Sequence, residues 1–365
     1  MSDAPTTFPD PAPPAPAPPL QAEVFVPCAR LDEALAFYVG ELGFRIEVIF
    51  PAEAPTTASL SGHGLRLRLA PGGGPAPRLR LPCAELPPES ERRRQGPDGA
   101  IIEWTPADPP VEIPPLQAAF VVNRATDGPP AAPGRAGMVY RDLIPGRLGG
   151  RYIASHIAIP GGGPVSDWVH FHKIRFQMIF CRRGWVRVAY EDQGEPIVMR
   201  PGDFVVQPPR IRHRVLEASA GLEVIEIGCP ALHETIADHA MSLPTGRDLP
   251  DRDYGGQGFI HHIAATAPWS AEPDGAFARQ DSAMAVATRG LADLRVIRPT
   301  GGRRLSVPAH NRELLFGFLL DGAATLDCGG RHPLGPADAF VIPPGEAFAL
   351  DDCAQDLALL ELRVG

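Results

Sequence analysis

The stretch WVHFHKIRFQMIFCRRGWVRVAYEDQGEPIVMRPGDFVVQPPRIRHRV, residues 168–215, decides how this chain is read. Its apolar and polar side chains alternate in short runs separated by Gly and Pro turns, which predicts strands. His170 and His172 are two residues apart, so on a strand both imidazoles leave the same face. Gln177 follows five residues later, and His213 arrives after two more strand-like runs. Three imidazoles and an amide at these spacings form a candidate metal site, because imidazole nitrogen suits Fe, Ni, Cu, Mn or Zn.

Outward from this stretch the same pattern of short alternating strands continues, as expected of an antiparallel sandwich or barrel. It also repeats. YRDLIPGRLGGRYIASHIAIPGG, around 140 to 163, lies over RQDSAMAVATRGLADLRVIRPTGG, around 279 to 302, with Asp142 over Asp281 and Pro160 over Pro299. Further on, RRGWVRV lies over LDGAATL, RPGDFVVQPP over LGPADAFVIPP, and EVIEIG over ALLELR, so that Glu226 falls on Glu361. The spacing drifts only from 139 (281 − 142) to 135 (361 − 226), which a few turn deletions explain. One fold has been duplicated.

Residues 137 to 365 resemble the cupin superfamily, and specifically bicupins, with two double-sheet jelly-roll barrels in tandem. The family's first motif, a glycine, then H-x-H, an acidic residue and a turn glycine, stands here as GGGPVSDWVHFHKIRFQMIFCRRG. The second, P-G-D followed by a proline and a histidine, stands as RPGDFVVQPPRIRHRV. The resemblance implies His170, His172, Gln177 and His213 as ligands of a divalent metal, Fe2+ favoured over Ni2+, Mn2+, Zn2+ or Cu2+. Glutamine replaces the family's usual glutamate at Gln177, as in some cupins. Three neutral imidazoles and a neutral amide leave the full double charge on the ion, so a small anionic or chelating substrate is expected. An enolate, a carboxylate or a catecholate fits that description.

At the aligned positions of the second barrel Pro308 replaces His170, His310 keeps His172, Leu315 replaces Gln177 and Phe348 replaces His213. One histidine cannot hold a catalytic metal, so that barrel is expected to be structural or dimer-forming. In the first barrel, Tyr190 is a candidate proton donor or substrate-orienting group. Arg175, between two ligands in sequence, is a candidate bidentate partner for a substrate carboxylate. His156, aligned with Arg295, is a candidate for lining the pocket or capping the sheet. The segment HETIADHAMSLPTGRDLPDRDYGGQGFIHH, with His233, His239, His261 and His262, reads as a loop joining the barrels.

Residues 1–20 are dominated by proline and alanine and read as a disordered tail. Residues 21–110 begin strand, helix, strand, strand, a small α+β unit of βαβββ type. The segment RLDEALAFYVGELGF and the later GPDGAIIEW resemble the glyoxalase, bleomycin-resistance and extradiol-dioxygenase superfamily. Its four metal positions fall at Glu23, at Glu103, near Arg78 and in LRLRLA; only the two glutamates are ligand types, so a degenerate domain is expected. Residues 111–136 read as a linker with one short strand, 137–245 as the metal-binding barrel and 246–365 as the degenerate one.

A formal net charge of −9 and no cationic stripe argue against nucleic acid as a partner. No run approaches the apolar length of a membrane span and no export signal is visible, so the cytoplasm is the default compartment. Six scattered cysteines without a C-x-x-C pair read as reduced thiols. An exposed barrel edge leaves room for a homodimer. The expected activity is that of an Fe(II) dioxygenase. The alternatives are a Lewis-acid isomerase or lyase and a non-enzymatic small-molecule or metal-binding protein.

Overall fold

The computed structural model describes residues 21–51, 53–127, 132–133, 137–273 and 275–365; the Pro/Ala-rich segment 1–20 lies outside them. The chain divides into two compact units, Met1–Pro110 and Val111–Gly365. Among the described residues no helix is long and apolar enough to cross a membrane.

The larger unit holds two barrels built of facing sheets. In the first, a seven-stranded sheet runs in the order Ile260–His262, Phe204–Val206, Phe176–Arg183, Leu222–Cys229, Ile153–Ile159, Val139–Asp142, Ala132–Pro133. It faces a sheet ordered Ile197–Met199, Val186–Tyr190, His213–Ala218, His170–His172, Thr235–Ala237. The second barrel repeats the larger sheet as Ser270–Ala271, Phe277–Asp281, Ala292–Pro299, Ala358–Val364, Leu314–Asp321, Ala339–Ile342, Val121–Asn123. All these pairings in the two larger sheets are antiparallel.

The runs FQMIFC and LLFGFLL are almost continuously apolar because both faces of their strands are buried. Phe176, Met178, Phe180 and Ile225 share one core with Leu294, Phe316, Phe318 and Leu360 of the other barrel, so the two large sheets are packed on each other. The alternate residues face the barrel interiors: Cys181, Val186, Val205 and Val224 in the first, Leu315, Leu319, Phe340 and Leu359 in the second.

Two segments expected to be connections are strands of these sheets. Val121–Asn123, in the expected linker, pairs with Ala339–Ile342 of the second barrel. Ile260–His262, in the expected inter-barrel loop, pairs with Phe204–Val206 of the first. The residues leading into each barrel therefore complete the sheet of the other. The linker is read with one short strand; Ile260–His262 departs from the loop expected there, since a three-residue strand carries too few alternations to be read from sequence. Thr235–Ala237, from the same expected loop, pairs with His170–His172 and covers that edge of the smaller sheet.

In the unit 21–110, Val24–Pro27 lies parallel to Leu65–Ala70 in a four-stranded sheet completed by Thr57–Gly62 and Arg45–Phe50. A short helical segment, Leu31–Leu35 continuing as a wider π-type turn over Ala36–Glu41, buries Leu31, Ala34, Phe37 and Tyr38. A second, smaller sheet repeats the parallel pairing, Arg78–Cys83 with Ile101–Pro106, and replaces the helix with a single 3-10 turn at Glu89–Glu91. Glu23 accepts hydrogen bonds from Ser59 and Arg66, and Glu103 from Arg78, so both carboxylates are engaged by the unit's own side chains.

Candidate metal centre

Two strands of the smaller sheet bring the imidazoles of the first barrel together. His170–His172 pairs antiparallel with His213–Ala218, with His170 directly opposite His213, and His172 leaves the same face two residues on. The ring centroids of His170 and His213 are 4.3 Å apart, and each lies 5.3 Å from that of His172. One donor atom from each ring falls within 4.8 Å of the others, and all three residues are buried.

Backbone carbonyls set the tautomers of two rings. Nδ1 of His170 lies 2.8 Å from the Trp168 carbonyl oxygen, Nδ1 of His213 lies 3.1 Å from that of Ile211, and Nδ1 of His172 lies 3.3 Å from that of Glu234. A carbonyl oxygen only accepts, so Nδ1 of His170 and of His213 carries the proton and donates it, whereas Nδ1 of His172 is also 3.3 Å from the Thr235 hydroxyl. Nε2 is then the basic nitrogen of the His170 and His213 rings, the one that can bind a metal.

Gln177 stands on the Phe176–Arg183 strand of the facing sheet. Its Nε2 donates to Oε1 of Glu226 at 2.5 Å, while its Oε1 is buried with no hydrogen-bond partner. A buried carbonyl left so costs on the order of 1–3 kcal/mol unless something else engages it. Three converging imidazoles and an orphaned amide oxygen in one cavity are a donor set that fits a divalent ion.

That cavity, of about 90 Å³, is lined by the three histidines, Gln177, Tyr190, Gln207 and Glu226 at its polar part. Ile157, Ile179, Val186, Val188, Met199 and Leu222 are among its apolar walls. Tyr190 is buried, packs on Phe259 and accepts a hydrogen bond from Nε2 of Gln207 at 2.9 Å. Burial pushes its phenol well above the ordinary range, so it is a proton-bearing group at any ordinary pH.

Two expectations are corrected by the side-chain directions. Arg175 does not line the cavity; it donates to Glu313 of the second barrel at 2.8 Å, where Arg151 and Tyr152 converge on the same oxygen. His156 faces away from the cavity and meets Glu223 at 2.9 Å. Its alignment with Arg295 is one residue out: Ser155 pairs with Glu226, as Arg295 does with Glu361. A slip of one residue on a strand reverses the face.

Glu226 is the residue that the sequence reading passed over, although a carboxylate at an inward position of LEVIEIGC signals it. Its counterpart Glu361 is clamped by Arg295 and Arg363, each at 2.8 Å. Pairing along the strands puts Ser155 and Gly228 where those arginines stand. Glu226 is therefore left to Gln177 and the cavity.

The second barrel has filled the corresponding space. The rings of Phe340 and Phe348 lie edge to face, 5.6 Å apart. Gly317 is what admits Phe340, since a Cβ there would stand 2.1 Å from its ring. His310 remains beside this core, its Nδ1 accepting from the Arg312 amide at 3.1 Å.

No family model and no curated protein matches this chain. Solved structures do. Protein YlbA from E. coli, of a domain family of unknown function, superposes with a TM-score of 0.51 at 11% identity, over 68% of this chain and 92% of that one. A salicylate 1,2-dioxygenase from Pseudaminobacter salicylatoxidans superposes with a TM-score of 0.50 at 16% identity, over 69% and 86%. At such identities the likeness is one of fold, and with the duplicated sheets it makes the protein mainly β: two tandem jelly-roll barrels, preceded in sequence by a small α+β unit.

Proposed function

We propose that the first barrel is a mononuclear metal centre of an enzyme, an Fe(II) dioxygenase acting on a small chelating substrate. His170, His172, His213 and Oε1 of Gln177 would hold the ion. The observation that carries this reading is the convergence of three buried imidazoles within 4.8 Å of one another, in one cavity with an amide oxygen that has no partner. An iron ion bound there would supply a redox-active Lewis acid with positions left for dioxygen and substrate. The chain's own part is to fix the ligand rings, enclose the reactants among apolar walls, and present the Tyr190 hydroxyl beside them.

Tyr190 also supports a second reading, a Lewis-acid isomerase or lyase, because a buried phenol braced by Gln207 can hand over and recover a proton. The two readings separate on oxygen uptake by the iron-loaded chain with diketones, catechols and keto acids. Uptake coupled to substrate loss supports the dioxygenase, and turnover without uptake supports the isomerase or lyase. Less than roughly a tenth of an equivalent of metal after reconstitution would leave a small-molecule-binding protein.

We read the unit 21–110 as a degenerate glyoxalase-like domain. Its paired parallel strands support this, and the arginines on Glu23 and Glu103 argue against a metal there.

A further inference from the structure

The cavity's walls and charges narrow the ligand further than its donors do. We infer that the first barrel takes a small monoanion whose oxygen-donor head meets the histidines and whose short hydrocarbon body lies on the apolar walls. This rests on the metal reading above for the head and on the cavity alone for the body.

Charge comes first. Three neutral imidazoles and an amide leave an ion of charge +2 uncompensated, but Glu226 lines the same cavity, in direct contact with Gln177. A second buried carboxylate, Asp167, lies 3.6 Å from Nδ1 of His170. Among the described lining residues there is no arginine or lysine, Arg175 being held by Glu313. One anionic head therefore has the ion as its partner, and nothing along the walls pairs a second one. A dianion would leave one negative charge among apolar walls, where an uncompensated charge is costly.

Shape comes second. Away from its polar groups the lining is mainly aliphatic, with Ile157, Ile159, Val186, Val188, Met199 and Leu222 beside Tyr140. They belong to a continuous cluster of buried apolar side chains, so a ligand body placed there leaves water entirely. The volume of about 90 Å³ is smaller than the roughly 150 Å³ of an engineered cavity that accepts benzene. A body of roughly three to five carbons fits such a space.

Two titrations of the full chain test this. In the metal-free chain, 2-butanone, 2-pentanone and 2-hexanone are followed by chemical-shift changes. Affinity should rise roughly fourfold per methylene. In the Co(II)-loaded chain, propanoate, butanoate, pentanoate and succinate are followed by the visible bands of the ion. The monocarboxylates should rank by length, and butanoate should bind at least tenfold tighter than succinate, which has the same number of carbons. Val186→Phe, or Val224→Phe should the first variant not fold, should flatten both series. Affinity independent of length, or succinate binding tighter than butanoate, overturns the inference while Co(II) bands would still uphold the metal centre. Ketones ranked by length in a chain that never takes up Co(II) would uphold the apolar body and overturn the metal reading and the anionic head with it.

Discussion

Gln177 and Glu226 are joined by a 2.5 Å hydrogen bond between neighbouring strands of one sheet, and that bond decides which end of the amide the cavity receives. The carboxylate can only accept, so it takes Nε2 and leaves Oε1 as the end offered to a cation. Glu226 is thus a positioning residue for the fourth donor. Glu226→Ala should lower metal affinity by about 10- to 100-fold, the usual effect of removing a partner that orients a ligand. Glu226→Gln, whose own amide oxygen can still accept from Gln177, should recover much of it. Equilibrium dialysis with Co(II) or Mn(II) checks both, and equal loss in the two variants would show that charge, not orientation, is what Glu226 contributes.

The ligands themselves should not be equivalent. His213→Ala removes one of the three imidazoles and should abolish retention of metal through gel filtration. Gln177→Ala removes a neutral amide, a poorer donor, and should only weaken it. Metal content per chain is the measurement, and equal loss would make Gln177 a full ligand.

Glu313 ties the barrels together, accepting from Arg175, Arg151 and Tyr152. Those hydrogen bonds and the nearby Arg175 charge outweigh burial and hold its carboxyl down at about 2, from 4.5. A depressed carboxyl contributes stability above its unfolded value and loses it as pH falls from about 4.5 toward 2. Glu313→Gln should therefore destabilise the chain by about 1–3 kcal/mol at pH 7. The gap from wild type should narrow progressively below pH 4.5 and all but close by pH 2. Urea unfolding at pH 7, 4 and 3 gives the comparison; a constant gap would remove the ionised network from the account.

Gly317→Ala would drive a methyl group into the ring of Phe340. Overpacking of this kind costs about 1–3 kcal/mol, read as a drop in Tm. Adding Phe340→Leu should restore part of it, because the clash is with the ring. An unaltered Tm in the single variant would mean that the second barrel is not packed solid.

Much of this is legible in the sequence. The H-x-H spacing put His170 and His172 on one face because a strand leaves no alternative, and the repeat fixed two barrels and emptied the second of ligands. What sequence could not supply was direction across space. Arg175 sits between two candidate ligands in sequence, yet its side chain leaves the other face and meets Glu313, about 140 residues away. The repeat aligns His156 one position out, and on a strand one position is a whole face. Glu226 reads in sequence as a repeated residue and not as a site residue, because its meaning depends on arginines present in one barrel and missing from the other.

The strands exchanged between the barrels bear on the history of the chain. A duplicated module that has lost its ligands would ordinarily be free to disappear. Here Ile260–His262, on the way into the second barrel, completes the first, and Val121–Asn123, on the way into the first, completes the second. Deleting the second barrel with its lead-in would strip an edge strand from the barrel that holds the three histidines. The half without the histidines is held in place by the half that has them.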